Sequence, residues 1–158
     1  MGFNQDRREL KHRCDGLIDL LPIPVPFEVT GFLQAFNRGR ARPLELWRIN
    51  PVDALPAGMY VPTAERDYVF VVRGTSAGHV RHHVFHEIGH IMLDHRCERL
   101  PGAARTAAFH AEEQEAEFFA YRLASRVRAE ERRHWLRGPQ RQLRSAFGPD
   151  RQLRMNHG

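Results

Sequence analysis

Two histidines four positions apart, His86 and His90, with Glu87 directly after the first, constrain this chain more than any other feature. Four residues of α-helix make about one turn, so in the segment His-Glu-Ile-Gly-His both imidazoles stand on one face. There they can share one metal ion, with the intervening carboxylate reaching the same space. Helical phase agrees. Val80, Val84, Ile88, Ile91 and His95 form an apolar stripe, and His86 and His90 fall nearly opposite it, beside His83 and Leu93. Histidines that merely fill a core belong on the stripe, and solvated ones belong among Arg and Lys; neither pattern is present. His83 stands about 10.5 Å along the axis from His90, too far for all three to grip one ion. His82, His83 and His95 therefore read as polar neighbours of the ligands.

Such a pair needs a third ligand from elsewhere. The metzincin extension of the motif requires Gly and His where this chain has Leu93 and Arg96, which excludes that class. A later helix is the remaining source, and it carries Glu112-Glu113-Gln114-Glu115-Ala116-Glu117. Phe109, Ala116, Ala120, Leu123 and Val127 define its buried stripe, and Glu112 and Glu113 each lie about 50° from the stripe's centre. A carboxylate so placed is costly unless it is paired or bound to metal. Periodicity leaves Glu112 and Glu113 as equal alternatives. Glu115, Glu117 and His110 point further out, and Glu115 reads as a solvated acid favoured by the helix dipole. Two imidazoles and one carboxylate suit Zn2+ with a position left for water, and Glu87 is then the general base.

The rest of the chain supplies a frame for these helices. Leu10, Cys14, Leu17, Ile18 and Leu21 keep helical spacing over Arg7 to Leu21, which Pro22-Ile23-Pro24-Val25-Pro26 ends as an extended connector. A short helix follows over Phe27 to Asn37. Leu44 to Ile49, Gly58 to Val61 and Tyr68 to Val72 read as strands, joined by turn chemistry at Asn50-Pro51 and Pro56-Ala57-Gly58. The simplest arrangement is a three-stranded antiparallel sheet or meander. Ser76 is the expected N-cap of a helix to about His95, and Thr106 of another to about Arg128, with Leu100-Pro101-Gly102 between them. The fold class is α+β, a small sheet packed with helices. Residues 1–128 form the domain, and residues 129–158 a basic helical extension that is not an independent unit.

Composition sets the outer limits. A chain of 158 residues, 42% hydrophobic and 27% charged, fits one globular domain. The longest run without a charged side chain, Ala54 to Ala64, is too short to span a bilayer, and Asp15 and Asp19 interrupt any signal-like region. No membrane association is expected. Two cysteines, Cys14 and Cys97, make no disulfide framework, so free thiols in the cytoplasm are expected. The net charge of +5 is uneven: ten Arg from Arg122 onward stand against Glu130, Glu131 and Asp150. That tail reads as solvated. It lacks interleaved aromatics for base stacking, so nucleic acid is not expected as a direct partner.

His86-Glu87-Ile88-Gly89-His90, followed by Glu113-Gln114-Glu115-Ala116-Glu117-Phe118-Phe119-Ala120, resembles the ImmA/IrrE family of zinc metallopeptidases, whose second motif runs E-x-E-A-[ND]-x-F-A. The likeness covers roughly Met59 to Leu123. It implies a zincin-like fold, zinc held by His86, His90 and Glu113, and Glu87 as the catalytic base. It also implies a regulatory protein substrate, a helix-turn-helix repressor on a separate polypeptide, since this chain has no convincing helix-turn-helix of its own. The alternative is a non-proteolytic, metal-binding toxin or regulatory module of a toxin-antitoxin pair. Glu117 departs from the family's usual Asn or Asp, which bears on how the ligands are supported. The donor facing a developing oxyanion stays open among Tyr60, Tyr68, His110 and Tyr121.

Overall fold

A computed structural model describes residues 2–51, 58–95 and 107–137. In chain order the elements are α1 (Gly2–Asp19), α2 (Val29–Phe36), β1 (Leu44–Ile49), β2 (Gly58–Pro62), β3 (Asp67–Val72), α3 (Ala77–Met92) and α4 (Ala107–Arg137). The class is α+β, as the alternation of helical and strand patterns predicts. The Pro56-Ala57 part of the expected turn before β2, the Leu100-Pro101-Gly102 separator, the Thr106 cap, Cys97 and the tail from Gly138 onward lie outside the described residues.

The sheet differs from the expected antiparallel meander. Its order is β1-β3-β2, with β1 parallel and β2 antiparallel to β3. Composition explains the centre. β3 is the most apolar and β-branched strand, and Val69 and Val71 are buried on its inner face. β2 ends in Pro62, which cannot donate to a ladder and so belongs at an edge. β1 is held beside β3 by a polar clasp. Arg42 hydrogen-bonds the buried Asp67 carboxylate, Arg40 pairs with it at 3.5 Å, and the Asp67 amide donates to the Pro43 carbonyl at 2.9 Å. Asn37 closes the preceding turn by donating to the Leu44 carbonyl and accepting from its amide. These contacts tie the chain just before β1 to the start of β3, and that fixes the parallel register.

One face of the sheet meets the helices. Its other face carries Trp47, Tyr68 and Phe70 in ring contact, with Trp47 exposed. The core joins Val69 and Val71 to Phe32 and Phe36 of α2, Val80, Val84, Phe85 and Ile88 of α3, and Phe119, Ala120, Leu123 and Val127 of α4. Cys14 and Ile18 bring α1 into the same cluster. Along the α1/α4 seam Arg122 reaches Asp15 and Arg126 reaches Asp19.

Helix ends are set by local chemistry. Ser76 caps α3 as expected, accepting from the His79 amide. At the other end α3 stops at Met92, short of the expected His95. Asp94 takes a left-handed conformation with φ 56°, its amide bonds the Ile91 carbonyl, and the His95 amide bonds the His90 carbonyl at 3.0 Å. This is a Schellman turn with Asp in the place usually taken by Gly. α4 runs as one 31-residue helix to Arg137, past the expected end near Arg128.

α3 and α4 approach closely where Gly89 faces Ala116. A Cβ at Gly89 would stand 3.1 Å from the Ala116 carbonyl oxygen and 3.3 Å from the Phe119 Cβ. The obstruction is α4 backbone, which cannot rotate aside, so Gly89→Leu should destabilise the fold by about 2 kcal/mol in urea unfolding. Burial supplies a second test. Cys14 is fully buried, and desolvation raises its thiol from 9.0 to about 11. Below pH 9 the thiol is neutral in both states. From pH 9 to 11 the unfolded chain releases the proton while the folded chain retains it, so stability falls as pH rises, by on the order of 2 kcal/mol. Cys14→Ala should lack that part of the alkaline decline when the two proteins are compared by urea titration.

Candidate metal centre

The α3/α4 contact at Gly89 places the motif histidines against the acidic first half of α4. His86 Nε2 and His90 Nε2 face each other at 3.0 Å. The Glu113 carboxylate meets both, with Oε2 3.4 Å from His86 Nε2 and Oε1 3.3 Å from His90 Nε2. Donors bound at about 2.1 Å to a tetrahedral ion stand roughly 3.4 Å apart, so these separations match one face of such a polyhedron. The donor set is also one that suits a cation. Two imidazole nitrogens and a carboxylate converge, and imidazole nitrogens that bind metal do so as unprotonated lone pairs. His86, His90 and Glu113 are thus close enough to hold a metal ion. Between the two acids that periodicity left open, it is Glu113 and not Glu112 that joins the group among the described residues.

Exposure is graded across the three. The side chain of His90 is 4% exposed, that of His86 19% and that of Glu113 37%, so the site opens to solvent on its Glu113 side. The sequence pattern suggested a separate histidine face on α3; in the fold that face is covered by α4, which is why His90 is buried. Glu87 is half-buried on α3, directly after His86.

The neighbours of the ligands come from the same two elements. Glu117 Oε2 stands 3.5 Å from His86 Nδ1 and 3.1 Å from His82 Nε2, beside the far nitrogen of His86. His95 Nδ1 stands 3.0 Å from His90 Nδ1, and His95 Nε2 stands 3.3 Å from Glu115 Oε2. Arg13 of α1 donates to the Leu93 carbonyl at 2.9 Å and approaches Glu115 at 3.7 Å. Glu115 is therefore engaged rather than merely solvated, contrary to expectation. The reason is that the Schellman turn carries His95 back across the end of α3, a contact that periodicity cannot express. His83 packs against Gly58 of β2, where a Cβ would come within 2.7 Å of its ring. Burial, with the nearby charges of His82 and His86, holds the His83 pKa below its ordinary value.

Of the four oxyanion candidates, Tyr68 lies on the sheet face turned away from the helices, against Trp47 and Phe70. Tyr121 is exposed and lines a groove of about 300 Å³ with Arg7, Arg8, Lys11 and Phe118. His110 is exposed beside Phe109, and Tyr60 lies half-buried on β2. Among the described residues no helix is long and apolar enough to cross a membrane. Comparison of the chain with protein-family models, with curated proteins and with solved structures finds no match.

The geometry makes a direct prediction. The purified protein should hold one divalent ion per chain by elemental analysis. His86→Ala and Glu113→Ala should each lower affinity by at least 100-fold, and Glu112→Ala should leave it within a few-fold. Equal losses from Glu112→Ala and Glu113→Ala would break the assignment.

Proposed function

We propose that this chain is a zinc metallopeptidase of the ImmA/IrrE type, zincin-like in its helix pair, with His86, His90 and Glu113 as ligands and Glu87 as general base. The observation that carries the reading is the convergence of two imidazoles and one carboxylate, from two helices, on a point open to solvent. Structural zinc sites take four protein ligands, whereas catalytic ones take three and keep a position for water. Among the described residues three converge.

When bound, the zinc ion supplies Lewis acidity, polarising a carbonyl and making water nucleophilic near neutral pH. The chain's own residues do the rest. His86 and His90 hold their ring nitrogens in place through the rigidity of α3, and Glu113 contributes the negative charge that makes the site selective for a cation. Glu87 accepts the proton of the attacking water at its carboxylate and delivers it to the departing amine nitrogen. The partial burial of the site removes bulk water from one side and strengthens these charge interactions.

The substrate proposed is a separately encoded helix-turn-helix regulator in the cytoplasm. The support is the motif resemblance over 86–90 and 113–120, and the Glu117 departure is accommodated because its carboxylate lies beside His86 Nδ1. The test uses Glu87→Gln, which keeps all three ligands. With zinc bound, mass spectrometry of digests of helix-turn-helix regulators and of unfolded casein should find cleavage by the parent protein and a loss of at least about 100-fold in the variant. Undiminished cleavage by Glu87→Gln would end the mechanism. A zinc-loaded parent that hydrolyses nothing would instead favour a non-proteolytic regulatory module.

A further inference from the structure

Proton placement at the far side of the site follows from one acidic residue. An ionised carboxylate only accepts hydrogen bonds, and Glu115 lies beside the Arg13 guanidinium. Its partner at 3.3 Å, His95 Nε2, therefore carries a hydrogen. In a neutral imidazole the other ring nitrogen is an acceptor, so His95 Nδ1 offers a lone pair to His90 Nδ1, 3.0 Å away. His90 Nδ1 is then the donor. In that tautomer His90 Nε2 turns its lone pair toward His86 Nε2 and Glu113. Without metal the Glu113 carboxylate, 3.3 Å away, favours a hydrogen on the same nitrogen, and a bound cation would take its place, leaving the His95 contact to set the tautomer.

We propose that His95 is a positioning residue which, held by Glu115 and Arg13, accepts from His90 Nδ1 and so favours the tautomer whose Nε2 can bind metal; the proposal rests on the three-ligand site read above. Backbone geometry enforces the relay. In a Schellman turn the residue two beyond the C-cap folds back onto the residue three before it, and here those positions are His95 and His90. The contact usually made there by two apolar side chains is made by two imidazoles. Arg13 secures the turn by donating to the Leu93 carbonyl, the C-cap residue, while its second nitrogen faces Glu115. The side chains of His90 and His95 are 4% and 5% exposed, so water is largely excluded as an alternative partner. Metal-bound histidines commonly pass their second N–H to a carboxylate or carbonyl. Here an extra imidazole is interposed because Glu115 points away from the ligand face of α4, and the turn brings His95 across the gap.

The full chain, labelled with 15N at histidine and loaded with zinc, gives the direct test. Long-range proton–nitrogen spectra should place hydrogen on Nδ1 of His90 and on Nε2 of His95; hydrogen on His95 Nδ1 overturns the proposal. Zinc affinity, measured by competition with a chromophoric chelator, gives the second arm. His95→Phe fills the space without an acceptor and should weaken zinc by roughly 10- to 100-fold. His95→Asn retains a carbonyl and an amide and should recover most of that loss, which a purely space-filling role would not allow. Glu115→Gln, whose amide can donate to His95 Nε2, should raise the Nδ1–H form of His95 in the same spectra. Zinc binding undiminished in His95→Phe overturns the role of His95 alone. Absence of zinc binding by the parent chain overturns the metal-site reading and this role with it.

Discussion

The contact between Gly89 and Ala116 governs the rest of the molecule. It lets two helices meet at backbone distance, and only at that distance can Glu113 reach imidazoles on the facing helix. The same glycine sits inside the His-Glu-Ile-Gly-His segment, so the residue that permits the approach and the residues that use it are neighbours on one turn. A side chain there would act twice, against packing and against the donor spacing. The small residue opposite, Ala116, lies within the acidic run for the same reason: Glu113 and Glu117 flank the point of closest approach.

The sheet serves this pair by giving α3 a flat apolar surface. Val69 and Val71 present that surface, and β3 holds it because both of its edges are paired. The clasp of Arg40 and Arg42 on Asp67 is a buried acid with partly exposed cationic partners, an arrangement that costs desolvation and contributes specificity of register more than net stability. A one-residue slip of β1 would move Asp67 away from the two arginines and turn Leu44 outward.

What could be read from the residue order follows from the range of the interactions involved. The His86 and His90 pairing was legible because it is local and helical period fixes it. The strand positions were legible for the same reason, from β-branched and aromatic runs. Sheet order was not, since it depends on which distant edges pair, and the Asp67 clasp spans residues that show no common pattern. Glu112 and Glu113 were inseparable by phase alone because each sits equally far from the buried stripe; the position of α3 decides between them. His95 has the phase of the α3 stripe yet lies past the helix end; as the sequence suggests, it is a polar neighbour of a ligand, His90. The signal that the helix ends earlier was Asp94, one of the few residue types that tolerates a left-handed backbone.

The seam between α1 and α4 joins residues 107 apart in the chain, Asp15 to Arg122 and Asp19 to Arg126. During synthesis α1 leaves the ribosome long before α4 exists, so its apolar side, with Cys14 and Ile18, must wait without its native neighbours. The pairing of α1 with α4 therefore has a long sequence separation, of the kind that slows the closing of a core. Nascent fragments that stop short of α4 would expose that side and invite chaperone capture.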